Sequence, residues 1–262
     1  MSTLHRGIDW LARARTIASV GDPNTTKLLE SRASGPEFDR DLSRLCTERL
    51  ARLDPALRAT GLHDDIVRGH VRSWLDLGCN DGTILHALAR RYPALTLSGL
   101  ELVRDAYEGA ARLLQARTPF EMRYGSWWDD DHYPRGQFDV VSSVHGWPVP
   151  QDYAGAVEAA RAGKLNTAEV FYERFDADYS YAELARFVEF AAPGGVLVLK
   201  TWDPVLTTTT GPVGRVPETL RMRVSRLARR LRRHRALVLD VSRLPGTVIL
   251  LGGPYLVLRI PR

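Results

Sequence analysis

The apolar positions of this chain change period again and again from about residue 70 onward. Trp74-Leu75-Asp76-Leu77 is a short, almost continuous apolar run of the kind a buried strand shows. After Gly78-Cys79-Asn80-Asp81-Gly82, the apolar residues Ile84, Leu85, Leu88 and Ala89 fall on one helical face. Leu95-Thr96-Leu97-Ser98-Gly99-Leu100 then returns to strand character and ends on Glu101. The same switching continues downstream. Ala106, Ala110, Leu113 and Leu114 predict a helix, and Phe120–Tyr124 alternates as a third strand. Phe138–Val144 and Val196–Lys200 follow as fourth and fifth strands, with Leu237–Val241 and Tyr255–Ile260 as closing strands. Strands interleaved with helices predict an α/β fold around a mostly parallel sheet.

Upstream, residues 1–70 read as helical. Ile8, Leu11, Ala12 and Ile17 make one amphipathic segment, broken at Gly21-Asp22-Pro23-Asn24. Leu42, Leu45, Cys46, Leu50 and Leu53 make a stronger helix, expected to stop near Pro55. The expected organisation is therefore a helical cap or buttress over 1–70 and a main domain over 71–262. An insertion at about 149–192 interrupts the main domain, with helices over Ala154–Ala162, Leu165–Phe175 and Tyr181–Phe190. Phe171, Tyr172, Phe175, Tyr179 and Tyr181 cluster there, either as a lid over a hydrophobic or aromatic ligand or as ordinary helix packing.

The chemistry concentrates on the stretch from Trp74 to Glu101. Gly78 and Gly82 permit a tight turn and close approach of backbone to ligand. Asn80, between them, is one of the few non-glycine residue types that tolerate a positive φ. The N–H groups opening the next helix favour an anion, and Glu101 is placed to accept hydrogen bonds from two ribose hydroxyls. A dinucleotide site would show G-x-G-x-x-G. Here the spacing is D-x-G-x-x-x-G, starting at Asp76.

That pattern resembles motif I of the class I S-adenosylmethionine-dependent methyltransferases, with Asn80 where a third glycine is usual. Two later segments resemble the same family: Phe138-Asp139-Val140-Val141, and Pro193-Gly194-Gly195 before an apolar strand. Together the resemblances cover about residues 70–262. They imply a doubly wound, Rossmann-like sheet of seven strands in the order 3-2-1-4-5-7-6, and S-adenosyl-L-methionine as cofactor. In that reading Asp76, Gly78, Asn80 and Gly82 hold the methionine end of the cofactor and Glu101 its ribose. Ser126 and Trp127 meet the adenine, and Ser143 completes the cofactor set.

His145 directly follows the fourth strand, where ligand crevices of such sheets open, and is the candidate general base or a pocket-shaping group. Trp127, Trp128, Trp147 and Trp202 fall just past the ends of strands three, four and five. They read as an aromatic-walled pocket, with Trp147 and Trp202 as candidate substrate contacts. The expected activity is methyl transfer to an O or N nucleophile of a small, aromatic or hydrophobic molecule, in secondary metabolism.

Lys200 resembles the strand-five lysine of RNA ribose 2′-O-methyltransferases. Ser142-Ser143-Val144-His145 lacks the aspartate those enzymes carry, so Lys200 reads as an accessory or surface group. The helix expected over 216–235 has a stripe of Leu220, Val224, Leu227 and Leu231. Arg221, Arg223, Arg226, Arg229, Arg230, Arg232, Arg233 and Arg235 surround it. A solvated outer face is the preferred reading, with an RNA or acidic-partner surface, and hence an RNA or protein methyltransferase, as the alternative. A cofactor-binding protein that catalyses a non-methylating reaction is a further alternative.

Composition narrows this only slightly. The 262 residues suit one α/β domain with additions, and no apolar run approaches the roughly 20 residues of a membrane helix. Cys46 and Cys79 are the two cysteines, one of them inside the glycine loop, which points to a reducing, cytoplasmic setting without a structural disulfide. No metal-ligand spacing appears, and Asp129-Asp130-Asp131 reads as a solvated turn. The net charge of +5 permits nucleic-acid binding without requiring it. The expected partner is a small-molecule substrate, with no membrane; a homodimer stays open.

Overall fold

The computed structural model of the chain describes residues 36–102, 104–111, 114, 118–144, 177–200, 206–208, 238–240, 247–251 and 255–262. Five helices and nine strands lie among them. The helices are α1 (Pro36–Ala59), α2 (Leu62–Val67), α3 (Thr83–Arg91), α4 (Arg104–Ala110) and α5 (Ala177–Phe190). The strands are β1 (Ser73–Leu77), β2 (Thr96–Glu101), β3 (Glu121–Tyr124), β4 (Phe138–Ser143) and β5 (Ala191–Lys200), then β6 (Leu206–Thr208), β7 (Val238–Asp240), β8 (Val248–Leu251) and β9 (Tyr255–Arg259).

Seven strands form one sheet in the order β3-β2-β1-β4-β5-β9-β8. Numbered within the sheet, that is 3-2-1-4-5-7-6, the expected doubly wound order. Pairing is parallel from β3 through β5, and β9 runs antiparallel to both β5 and β8. The order reverses between β1 and β4, so the ligand crevice lies at the C-terminal ends of these two strands.

Both faces of the sheet are covered, which explains the near-continuous apolar runs of its central strands. Trp74, Val140, Val196, Val198, Tyr255 and Val257 face Leu42, Cys46, Leu53, Ala56 and Leu57 of α1 and Ile84, Leu85 and Leu88 of α3. Leu75, Leu77, Val141, Leu197, Leu199, Leu256 and Leu258 face Leu184, Phe187 and Phe190 of α5.

Two expectations need correction. The helix predicted to stop near Pro55 continues to Ala59. Pro55 lies on the exposed side, while Leu53, Ala56 and Leu57 around it are buried against the sheet. Burying those side chains outweighs the roughly 3 kcal/mol an interior proline costs. The second concerns the closing strands. Val238–Asp240, within the expected strand over Leu237–Val241, pairs with Leu206–Thr208 in a separate two-stranded sheet. The outer strand of the main sheet is Val248–Leu251, which pairs with β9 across an intervening Gly252-Gly253-Pro254. An apolar run, a glycine–proline turn and a second apolar run make a hairpin signal, and local pairing wins over the more distant segment.

The helices expected over Ala154–Ala162, Leu165–Phe175 and 216–235 lie outside the described residues. Of the expected insertion, α5 is described and covers one face of the sheet. Among the described residues no helix is long and apolar enough to cross a membrane.

Candidate functional site

The loop between β1 and α3 adopts three left-handed conformations in five residues: Gly78 at φ 67°, Asn80 at φ 53° and Gly82 at φ 70°. Asn80 is the one non-glycine residue with positive φ among the described residues. The loop therefore doubles back sharply, and main-chain bonds pin it to β2. The amides of Gly78 and Cys79 both donate to Leu100 O, at 2.8 and 3.2 Å, and Gly82 N donates to Cys79 O at 3.0 Å. Gly99 of β2 lets the loop come this close. A Cβ there would stand 2.6 Å from Leu85 Cδ1 and 2.7 Å from Cys79 Sγ.

Carboxylate and hydroxyl side chains surround this loop. Asp76, at the C-terminal end of β1, is fully buried. Its Oδ1 accepts from Ser142 Oγ at 2.6 Å, and Ser142 Oγ in turn accepts from Trp74 Nε1 at 2.7 Å. Asp76 Oδ2 is enclosed and has no hydrogen-bond partner among the described residues. Burial pushes the Asp76 carboxyl up to about 7, against the opposing pull of the Ser142 hydroxyl and the Val144 amide. Glu101, also buried, sits at the end of β2 and its Oε2 accepts from Asn80 N at 2.6 Å. It thus meets the glycine loop directly.

Asp81 changes the expectation for the start of α3. Its Oδ1 accepts from Thr83 N at 3.0 Å and from Thr83 Oγ1 at 2.6 Å. The anion at this helix start is therefore a side chain of the loop itself, so the site differs from a pyrophosphate cradle. Arg49 of α1 then clamps Asp81 in a two-pronged ion pair, Nη1–Oδ1 2.7 Å and Nη2–Oδ2 3.1 Å. Neither Arg49 nor Asp81 was singled out from sequence; an arginine 32 positions upstream leaves no local signal.

The remaining expected site residues divide. Ser126 follows β3, close in sequence to the strand that pairs with Glu101, and its Oγ accepts from Trp128 N at 3.2 Å. Trp127 is packed in the core on the α5 side, edge-on to Phe187 with ring centroids 5.5 Å apart, and its carbonyl accepts from Arg186 Nε. Its Nε1 is enclosed without a partner among the described residues. Ser143 is fully buried and gives its hydroxyl proton to Leu77 O at 2.8 Å, tying β4 to β1 beneath the loop. Gly78, Asn80, Gly82, Asp76 and Glu101 are thus gathered at one place, while the Trp127 ring packs on Phe187 and the Ser143 hydroxyl is bonded to Leu77. His145, Trp147 and Trp202 lie outside the described residues. Lys200, read from sequence as an accessory or surface group, is half-buried at the end of β5. Asp130 is engaged by Arg135 and Arg186. Among the described residues no three His, Cys, Asp or Glu gather as metal ligands.

Residues 38–241 match the family described as "Methyltransferase domain". The chain belongs to the class I S-adenosylmethionine-dependent methyltransferase family. The matched region begins inside α1, so that helix lies within the family's domain. Among solved structures, the methyltransferase domain is similar to an S-adenosylmethionine-dependent methyltransferase, SibL, at 17% identity over 97% of this chain and 69% of that one, with a TM-score of 0.45. An O-methyltransferase family protein from Burkholderia thailandensis matches at 18% identity over 89% of this chain and 62% of its own, TM-score 0.44. An amino pentose methyltransferase from Micromonospora echinaspora, involved in calicheamicin biosynthesis, matches at 24% identity over 55% of this chain and 50% of its own, TM-score 0.36. The chain thus spans 50% and 62% of the lengths of the latter two. No curated protein sequence matches it.

The residues present fit the family's cofactor, S-adenosylmethionine. A buried carboxylate oxygen without a partner, Asp76 Oδ2, lies near the C-terminal end of β1 and suits a cationic group such as the cofactor's ammonium. Beside it is a loop held open by positive φ angles, and Glu101 stands at the neighbouring strand end.

Proposed function

We propose that the protein transfers a methyl group from S-adenosylmethionine to an O or N nucleophile of a small molecule. The observation that carries this reading is the enclosed, unpartnered Asp76 Oδ2 beside the left-handed Gly78–Gly82 loop and the Glu101 carboxylate. When bound, the cofactor supplies an activated methyl on a sulfonium, so the chain's task is chiefly alignment and exclusion of water.

In this reading Asp76 receives the methionine ammonium and the loop backbone receives the methionine carboxylate. Glu101, already bonded to Asn80 N, accepts from the ribose. Ser126 lies toward the adenine end. His145, which follows Val144 directly in the chain, takes the proton of the acceptor nucleophile at the mouth of β4. Trp147 and Trp202 are proposed as walls of the acceptor pocket, on their sequence position past β4 and β5. Residues 36–67 act as the near wall of the site through Arg49 and the α1–sheet core.

Calorimetric titration with S-adenosylmethionine and S-adenosylhomocysteine tests the reading. Micromolar binding of both is expected, falling by about tenfold or more in Glu101→Ala, as loss of a charged hydrogen-bond acceptor predicts. Absence of binding by the wild-type protein would sink the proposal. His145→Ala should then lower kcat while leaving cofactor affinity unchanged; full activity would reduce His145 to pocket shape.

A further inference from the structure

The loop between β3 and β4, residues 125–137, is braced against helix α5. Its first turn closes with Asp129 N donating to Ser126 O at 3.0 Å. At its far end, Gly136 N and Gln137 N donate to Glu189 O and Phe190 O of α5, at 2.8 and 3.1 Å. Between these ends stands Arg186, also on α5. It is buried, a position an arginine takes only when its charge and donors are engaged. Here one donor on each of its three nitrogens is used. Nε donates to Trp127 O at 2.6 Å, Nη1 to Glu189 Oε2 and Nη2 to Asp130 Oδ1. The guanidinium also lies 5.0 Å from the centroid of the Phe190 ring.

The bond to Trp127 O differs in kind from the two ion pairs. Arg135 also pairs with Asp130, at 2.8 Å, and with Glu189, at 3.3 Å. Both carboxylates are therefore served twice, whereas the Trp127 carbonyl takes its side-chain donor from Arg186. A peptide unit is planar and trans, so fixing Trp127 O also fixes the direction of Trp128 N on the opposite side. Trp128 N donates to Ser126 Oγ at 3.2 Å. The Ser126 hydroxyl is thereby held as an acceptor on one side and keeps its own proton for a ligand. Sheet order then places this hydroxyl relative to the cofactor. The glycine loop follows β1, Glu101 ends β2, and Gly125 N donates to Glu101 O at 2.9 Å as the chain leaves β3. With the methionine end at the β1 loop and the ribose at Glu101, the base continues toward β3, where Ser126 lies.

We propose that Arg186 is a positioning residue for the cofactor's base: through the Trp127–Trp128 peptide it aims the Ser126 hydroxyl at a ring nitrogen of the adenine. The planar guanidinium suits the task because it sends three donors in fixed directions, two to carboxylates and one to the carbonyl. Arg186 acts from the far side of the peptide and needs no contact with the cofactor itself. This inference rests on the methyltransferase reading above.

The test is a double-mutant cycle of Arg186→Met and Ser126→Ala, read by calorimetry with two ligands. One is S-adenosylhomocysteine; the other is 5′-methylthioadenosine, which has the base and ribose but no amino-acid end. Arg186→Met leaves Asp130 and Glu189 paired with Arg135, so the fold should survive with a lower Tm. Both ligands should bind about fivefold more weakly in Arg186→Met, and by a similar factor in Ser126→Ala. In the Ser126→Ala background, Arg186→Met should cost less than about twofold more, because its effect passes through that hydroxyl. Arg135→Met, which touches the same carboxylates, should leave both affinities unchanged. Where Arg186→Met does not fold, Arg186→Lys takes its place in the same cycle, since an ammonium keeps the charge but not the fork. Wild-type affinity in the Arg186 variant, or an equal loss with and without the Ser126 hydroxyl, overturns the positioning role. A loss confined to S-adenosylhomocysteine overturns it too, assigning the effect to the methionine end. A wild-type protein that binds neither ligand sinks the methyltransferase reading itself, and this inference with it.

Discussion

Asp76 couples the site to pH. Its carboxyl is raised to about 7 by burial, from an ordinary value near 3.8. The folded protein therefore holds a proton between these values that the unfolded chain has released. Stability from this group is greatest at acid pH and declines as pH rises toward about 7; above it the cost of the buried charge, on the order of 4 kcal/mol, is fully present. A cation bound against Oδ2 reverses the balance by favouring the carboxylate. S-adenosylhomocysteine affinity should accordingly rise between about pH 6 and 8 with release of a proton, visible as a buffer-dependent binding enthalpy. Asp76→Asn should flatten that profile, and an unchanged profile would remove Asp76 from the ammonium's position. Gly99 is the second sensitive residue. Gly99→Val would drive atoms into Leu85 and Cys79 and should cost about 1–3 kcal/mol with weakened cofactor binding, read by thermal melting and calorimetry. Asn80 was legible beforehand because a positive φ is a property of residue type and loop length. The contacts of Ser143 with Leu77 and of Trp127 with Phe187 were not, because those partners are brought near only by folding.

Among elements, α1 shows how tertiary contacts override a local signal. Pro55 reads as a stop, yet the helix runs past it because the residues around it are core. The pairing of Arg49 with Asp81 gives this helix a further role, since Asp81 also accepts from the amide and hydroxyl of Thr83, the first residue of α3. Arg49→Met should cost about 1–3 kcal/mol, because it leaves a buried carboxylate with part of its hydrogen bonding removed. It should weaken S-adenosylhomocysteine binding as well. In a double-mutant cycle with Asp81→Asn, the coupling energy reads the pair itself; a value near zero would reduce the clamp to a surface contact. The strands divide in the same way. β1 through β5 were legible because each carries its own apolar run beside a turn signal. The edge of the sheet was misassigned because Val238–Asp240 and Val248–Leu251 are equally strand-like, and only pairing with β9 distinguishes them.

For the whole molecule, the question is whether the N-terminal helices form a detachable cap. From the sequence they read as a separate segment, since a linker-like break precedes them and the strand pattern begins only near residue 73. The packing argues for one body. Leu42, Cys46, Leu53, Ala56 and Leu57 lie in the same core as Trp74, Ile84, Val198 and Val257. Burying these five side chains contributes roughly 10 kcal/mol, comparable with the about 5–15 kcal/mol that holds a typical domain folded. A chain beginning at residue 60 should therefore lose its cooperative thermal transition, expose the Trp74 face of the sheet and aggregate, as read by calorimetry and light scattering. A detachable cap predicts the opposite: a soluble fragment that melts cooperatively and still binds S-adenosylhomocysteine, with at most a change in acceptor preference. That outcome would place the domain boundary after Ala59. Unfolding would instead make α1 the foundation of the Gly78–Gly82 loop through Arg49 and Asp81, so that the shape of the loop and the stability of the fold depend on the same helix.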